Sequence, residues 1–177
     1  MKQKLLSFKV LVSLLTLIGV SANAYSESTA VTYKQTSKTA ISLTAGTAPE
    51  NAVATFSTTY TNNNYNQLTA NNSMTYTFTG FDGCTVTGIT LSMRSNSSTG
   101  AGSLVAKIGE KTIASIVDSK FSTANWHGNW STSYVDIQPK VTPIGVGKGE
   151  NLVITIAATT NSLYCQSVTL EYEMPES

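Results

Sequence analysis

An all-β fold, a two-sheet antiparallel β-sandwich of jelly-roll-like type, is predicted by three features of the chain. Short stretches alternate apolar and polar residues with period two, and clusters of Gly, Pro, Asn and Ser punctuate them. Ser, Thr and Asn are plentiful while the helix formers Glu, Lys, Gln and Arg are sparse, as suits pleated strands with one solvated face. No stretch beyond residue 24 carries a 3.6-residue period, and the turn signals divide the remainder into roughly eight to ten strands.

The first 24 residues stand apart. Met1-Lys2-Gln3-Lys4 and Lys9 precede the apolar run Val10–Val20, and Ser21-Ala22-Asn23-Ala24 supplies the small residues a signal peptidase requires. The run is far shorter than the ~20 residues of a membrane span, so residues 1–24 are expected to be a cleaved signal peptide. Residues 25–177 are then expected to be one β-sandwich domain, exported to the periplasm, cell surface or medium. No cysteine stands at position 25 to accept a lipid. Cleavage removes Lys2, Lys4 and Lys9, taking 11 basic residues to 8 against 10 acidic ones, a net charge of −2. Without a basic surplus, nucleic acid and anionic membrane are disfavoured as partners.

In chain order, residues 25–30 form a lead-in, and Val31–Lys34 and Ala40–Leu43 alternate as half-buried strands. Gly46-Thr47-Ala48-Pro49 turns, Val53–Thr59 is a further strand or edge segment, and Thr61–Asn66 is an Asn-rich loop. Ser73–Thr79 is the cleanest amphipathic strand, with Met74, Tyr76 and Phe78 on one face and Thr75, Thr77 and Thr79 on the other. Phe81-Asp82-Gly83 turns the chain into Thr85–Arg94. There Ile89, Leu91 and Met93 share a face that Val86 joins only if a bulge occurs at Gly88.

Ser95–Gly102 reads as a turn, and Leu104, Ala106 and Ile108 are the next inward set. Gly109-Glu110-Lys111 closes a hairpin with Thr112–Val117. Phe121–Thr132 is a long loop containing both tryptophans, followed by a strand at Tyr134–Ile137 bounded by Pro139 and Pro143. Ile144–Gly149 is a turn region. Leu152, Ile154 and Ile156 and then Val168, Leu170 and Tyr172 mark the last two strands, and Met174–Ser177 is a tail.

Four segments, ITLSMRSNSSTGAG (Ile89–Gly102), TIASI (Thr112–Ile116), VITIAATTNSLYCQSVTLEY (Val153–Tyr172) and QLTANNSMTYTFTGF (Gln67–Phe81), resemble secreted β-sandwich modules of gut Bacteroidetes surface and exported proteins. The likeness runs from about Val31 to Glu173. It implies a jelly-roll-like fold and an exported bacterial protein, in a family whose modules are sometimes attached to larger surface proteins. It implies no defined activity and transfers no catalytic or ligand residue. The chain reads as the module alone, without a fused enzyme or sorting domain.

Most catalytic chemistries lack their parts. His127 is the sole histidine, and no G-x-S-x-G elbow offers it a nucleophile. One histidine and two distant cysteines do not form a zinc ligand set, and no calcium-loop motif occurs, so no metal or other cofactor is expected. Paired carboxylates for glycoside hydrolysis would have to come from Asp82, Asp118, Asp136, Glu110 or Glu150, mostly at turns. Gly145, Gly147 and Gly149 lead into a strand, whereas phosphate loops lead into a helix.

The functional expectation therefore rests on Asn125-Trp126-His127-Gly128-Asn129-Trp130. Sugar C–H faces stack on indoles and sugar hydroxyls bond to amides, so Trp126, Trp130, Asn125, Asn129 and His127 form a candidate glycan site. The competing reading folds both indoles inward as a plug. Tyr60, Tyr65 and Tyr164 are further aromatic candidates, each with a structural reading beside it. Arg94 either meets an anionic ligand or pairs with a nearby carboxylate to brace the turn that follows it. Cys84 and Cys165 are either disulfide-bonded or two buried thiols. Both lie near strand starts, so a bond requires parallel neighbours, facing sheets or a short overlap. The expected function is a non-catalytic glycan-binding module. The alternative is a protein–protein or surface-assembly module, with a hydrolase less favoured, and oligomeric state is not legible.

Overall fold

A computed structural model describes residues 27–175. The signal peptide expected at residues 1–24 lies outside the described residues. The chain forms β1 (Ser28–Gln35), β2 (Ile41–Ala45), β3 (Val53–Thr58), β4 (Gln67–Leu68), β5 (Asn72–Thr79), β6 (Thr85–Ser95), β7 (Ala101–Ile108) and β8 (Lys111–Lys120). One helical turn, α1 (Thr123–Trp126), precedes β9 (Val135–Ile137), β10 (Ile144–Gly145), β11 (Leu152–Thr160) and β12 (Leu163–Glu173). Among the described residues no helix is long and apolar enough to cross a membrane.

Two antiparallel sheets result. The first runs β10-β6-β12-β1-β2, with β9 sharing the outer side of β6 and β4 extending the row of β1 along β12. The second runs β3-β5-β11-β7-β8. Pairings nest inward along the chain, with β1 on β12, β5 on β11, β6 on β9 and β10, and β7 on β8. A long antiparallel ribbon rolled across two sheets has this pattern, so the jelly-roll expectation holds.

Period-two alternation places the core between the sheets. Met74, Tyr76 and Phe78 of β5 face Val168, Leu170 and Tyr172 of β12 and Val31 of β1 in one cluster, each almost wholly buried. At ~1.5–3 kcal/mol per large apolar side chain, this inner layer dominates the favourable side of folding. Two bulges preserve it. In β6, Thr87 and Gly88 together oppose Glu171, so Val86 turns inward with Ile89, Leu91 and Met93, as the sequence predicts. In β12, Gln166 is the additional residue, and it switches the inward parity from Leu163 and Cys165 to Val168, Leu170 and Tyr172.

The same register decides the cysteines. Both are free thiols and both are buried. Cys165 lies opposite Met93 near the far end of β6, whereas Cys84 immediately precedes its start. Nine residues of extended chain separate the two positions by roughly 30 Å, far beyond disulfide reach. The disulfide reading is thereby corrected in favour of two buried thiols. Burial pushes Cys165 up to about 12, despite the hydrogen bond it accepts from the Tyr76 hydroxyl at 3.0 Å. Burial also raises Cys84, with Asp82 adding to it.

Register further defines the two ends of the sandwich. Ser28 pairs with Glu173, so the described chain enters and leaves at one end, beside the start of β6. The β6–β7, β8–β9 and β11–β12 connections gather at the opposite end, where Leu163 pairs with Ser95 and Ala101 with Lys120.

Candidate functional site

The β8–β9 connection builds the candidate site at the end remote from the described chain termini. Phe121 N–H donates to Gly100 O at 2.8 Å, tying the loop to the preceding turn, and Ser122 opens α1 with an extended backbone. The helix is a single turn, closed by His127 in the left-handed region at φ 58°. The residues of this segment read as loop, since one turn is too short to display a helical period.

That turn points Trp126 into the protein. Its indole is fully buried, packs on Phe121 at 5.6 Å between centroids, and donates from Nε1 to Ser119 O at 3.2 Å. Trp126 is therefore a plug, and its place in the glycan site is corrected. The large apolar indole finds a partner for its one polar atom, which makes burial favourable. Gly128 then lets the loop press against β9, because a Cβ there would lie 2.3 Å from Ile137 Cδ1.

Trp130, two residues further on, is 40% exposed. Asn125, His127 and Asn129 are exposed beside it in the loop. Thr123 Oγ1 donates to Asn129 Oδ1, and Asn125 Nδ2 reaches Lys120 O at 3.5 Å. The Asn129 amide nitrogen keeps its donors without a protein partner among the described residues. Four of the five candidate residues are thus exposed, and Trp126 is not.

Ser131 anchors the far side of the loop, its carbonyl accepting from Ser95 N–H at 3.1 Å. That bond sets the tryptophan loop directly against the end of β6 and reveals a cluster not anticipated from the residues. Arg94, outward on β6, lies opposite Tyr164 of β12, which in turn lies opposite Gln67 of β4. The Arg94 guanidinium sits 3.8 Å from the Tyr164 ring centroid and 5.4 Å from that of Tyr134. Burial raises the Tyr134 phenol, and the hydrogen bond and positive charge of Arg94 pull it partly back.

The carboxylate-pairing reading of Arg94 is replaced by this stack, since all its recorded partners are tyrosines. The signal for it lay in three residues from distant segments, which become neighbours only once β6, β9 and β12 are paired in register. In the next row, Ser92 lies opposite Asp136 and accepts a hydrogen bond from Gln166 Nε2 at 3.1 Å. Of the other aromatic candidates, Tyr65 packs against the core and Tyr60 is half-buried.

Other chemistry is dispersed. The His127 imidazole has no recorded partner among the described residues. Asp82 and Glu150 accept backbone N–H bonds from Gly149 and Gly147 and brace that turn. Asp118 accepts from Thr159 at 2.6 Å. A groove of 160 Å³ beside the β6 bulge, lined by Thr87, Gly88, Gln138 and Glu171, lies away from the tryptophan loop. No known family model matches the chain, and no curated protein matches it.

Proposed function

We propose that the protein is an exported, non-catalytic binding module that holds glycan on the Trp130 platform. The observation that carries this reading is the half-exposed indole of Trp130, in the same loop as the exposed Asn125, His127 and Asn129, at the end remote from the described termini. An indole face supplies apolar stacking area at low entropic cost, and the neighbouring amides offer directional bonds to hydroxyls. The resemblance to exported Bacteroidetes modules supports only the export part of this reading, since it implies no activity. A glycan array or polysaccharide pull-down comparing wild type with Trp130→Ala tests the assignment. Binding is expected to fall at least tenfold, and retention of wild-type binding by a folded Trp130→Ala would remove the site.

The alternative, a protein–protein or surface-assembly module, has one observation in its favour. Strand β2 is an edge of the first sheet, and its Ser42–Ala45 segment is exposed, including Leu43 at 44%. Uncovered sheet edges template pairing with another chain. Self-association in sedimentation that disappears in Leu43→Lys would favour this reading over the glycan one.

A further inference from the structure

Resting on the glycan reading, we infer that the platform selects saccharides carrying a carboxylate, with Arg94 as the group that meets it. Arg94 is the chain's only arginine, and its guanidinium lies 3.8 Å from the Tyr164 ring centroid and 5.4 Å from that of Tyr134, whose hydroxyl it also hydrogen-bonds. No ion pair to it is recorded among the described residues. A partly buried cation would ordinarily recruit a carboxylate, and the nearest acidic residue in register, Asp136, sits one row away opposite Ser92. The two rings stabilise the cation without consuming its negatively charged partner. They also fix the guanidinium plane, so less freedom is lost when a ligand binds.

The guanidinium uses one N–H on the Tyr134 hydroxyl and has four further N–H donors for coplanar contacts. A carboxylate is planar and accepts two parallel N–H bonds in that geometry, whereas a neutral hydroxyl uses only one. Tyr164 is itself 7% exposed and tied into β12, so the stack is supported from below by the sheet. Gln67, opposite Tyr164, already donates from Nε2 to the Ser162 hydroxyl at 3.0 Å, which keeps that amide beside the stack.

Trp130 is one residue from Ser131 and Arg94 one residue from Ser95, and those two are hydrogen-bonded. The Cα atoms of Trp130 and Arg94 therefore lie within roughly 13 Å, close enough for neighbouring sugars to use both. The net charge of −2 expected for residues 25–177 opposes an anion only weakly, because at physiological salt charges beyond about 8 Å are largely screened.

Titrations of the full exported chain with polygalacturonate, its methyl ester and dextran sulfate test the inference. Wild type is expected to bind polygalacturonate at least tenfold more tightly than the neutral ester. Arg94→Gln should abolish that preference while retaining ester binding, and Arg94→Lys should restore only part of it, since an ammonium cannot reproduce the planar fork. Thermal melts establish that both variants are folded. Equal affinity of wild type for acid and ester, with Trp130→Ala abolishing both, overturns the carboxylate assignment and leaves the glycan site standing. Equal or tighter binding of dextran sulfate likewise overturns it, by showing a site for any anion. Absence of binding to all three polymers and to a glycan array overturns both readings.

Discussion

The Trp126 indole packs on Phe121 and donates to Ser119, so its truncation removes a large buried volume and orphans a carbonyl. Trp126→Ala is expected to cost about 3–5 kcal/mol in urea unfolding, whereas Trp130→Ala should stay within about 0.5 kcal/mol of wild type. The four-residue spacing of the two tryptophans says nothing about this difference, which follows from one turn of α1 and the close approach at Gly128. The thiols give a second prediction at this scale. Cys165 is raised from 9.0 to about 12, first by burial, so between those values the native state retains a proton that the unfolded chain has lost. Burial raises Tyr76 in the same direction. The contribution of these two groups should therefore be constant below about pH 9 and be lost as pH rises towards 12, so thermal melts should show stability falling across that range. Native protein should resist alkylation at Cys165 and react after unfolding.

Strand β6 shows how an element reconciles an irregular pattern with a regular sheet. Its apolar residues change parity between Val86 and Ile89, and a bulge restores them to one face. That bulge is readable in advance because Gly88 interrupts an otherwise strict alternation. The compensating bulge at Gln166 is not, since neither a glycine nor a proline marks it and only pairing with Ser92 and Met93 exposes it. Strand β7 depends on a different glycine. A Cβ at Gly102 would lie 2.1 Å from Ala157 O and 2.9 Å from Leu163 Cδ1, so β7 and β11 would have to part. Gly102→Ala should cost roughly 1–3 kcal/mol or more, measured by chemical denaturation. A cost near zero would mean that the sheets yield more readily at this end than their packing indicates.

For the molecule as a whole, cohesion comes from the inner layer between the sheets, with no covalent link between Cys84 and Cys165. A bond enclosing ~80 residues would contribute about 4–5 kcal/mol in the chain-entropy picture, or roughly 10 °C in Tm. Adding a thiol reductant should leave the melting temperature unchanged, and a drop of that size would contradict the free-thiol arrangement. Nested pairing also gives the molecule two unlike ends. One receives both described chain termini, and the other presents the loops with Trp130 and the Arg94 stack.

Residue order by itself determined the all-β class, most strand positions, the Gly109-Glu110 hairpin and the inward residues, because side-chain alternation and turn chemistry are local properties. It also isolated the tryptophan loop as the concentration of aromatic and amide groups. It could not sort Trp126 from Trp130, pair the cysteines, or assemble Tyr134, Arg94 and Tyr164. Those outcomes depend on which strands become neighbours and in what register, and register is settled by burying both sheets' apolar faces together. Only the tertiary structure turned one indole into core, left the other half-exposed, and stacked Arg94 on Tyr164 and Tyr134 with no carboxylate partner among the described residues.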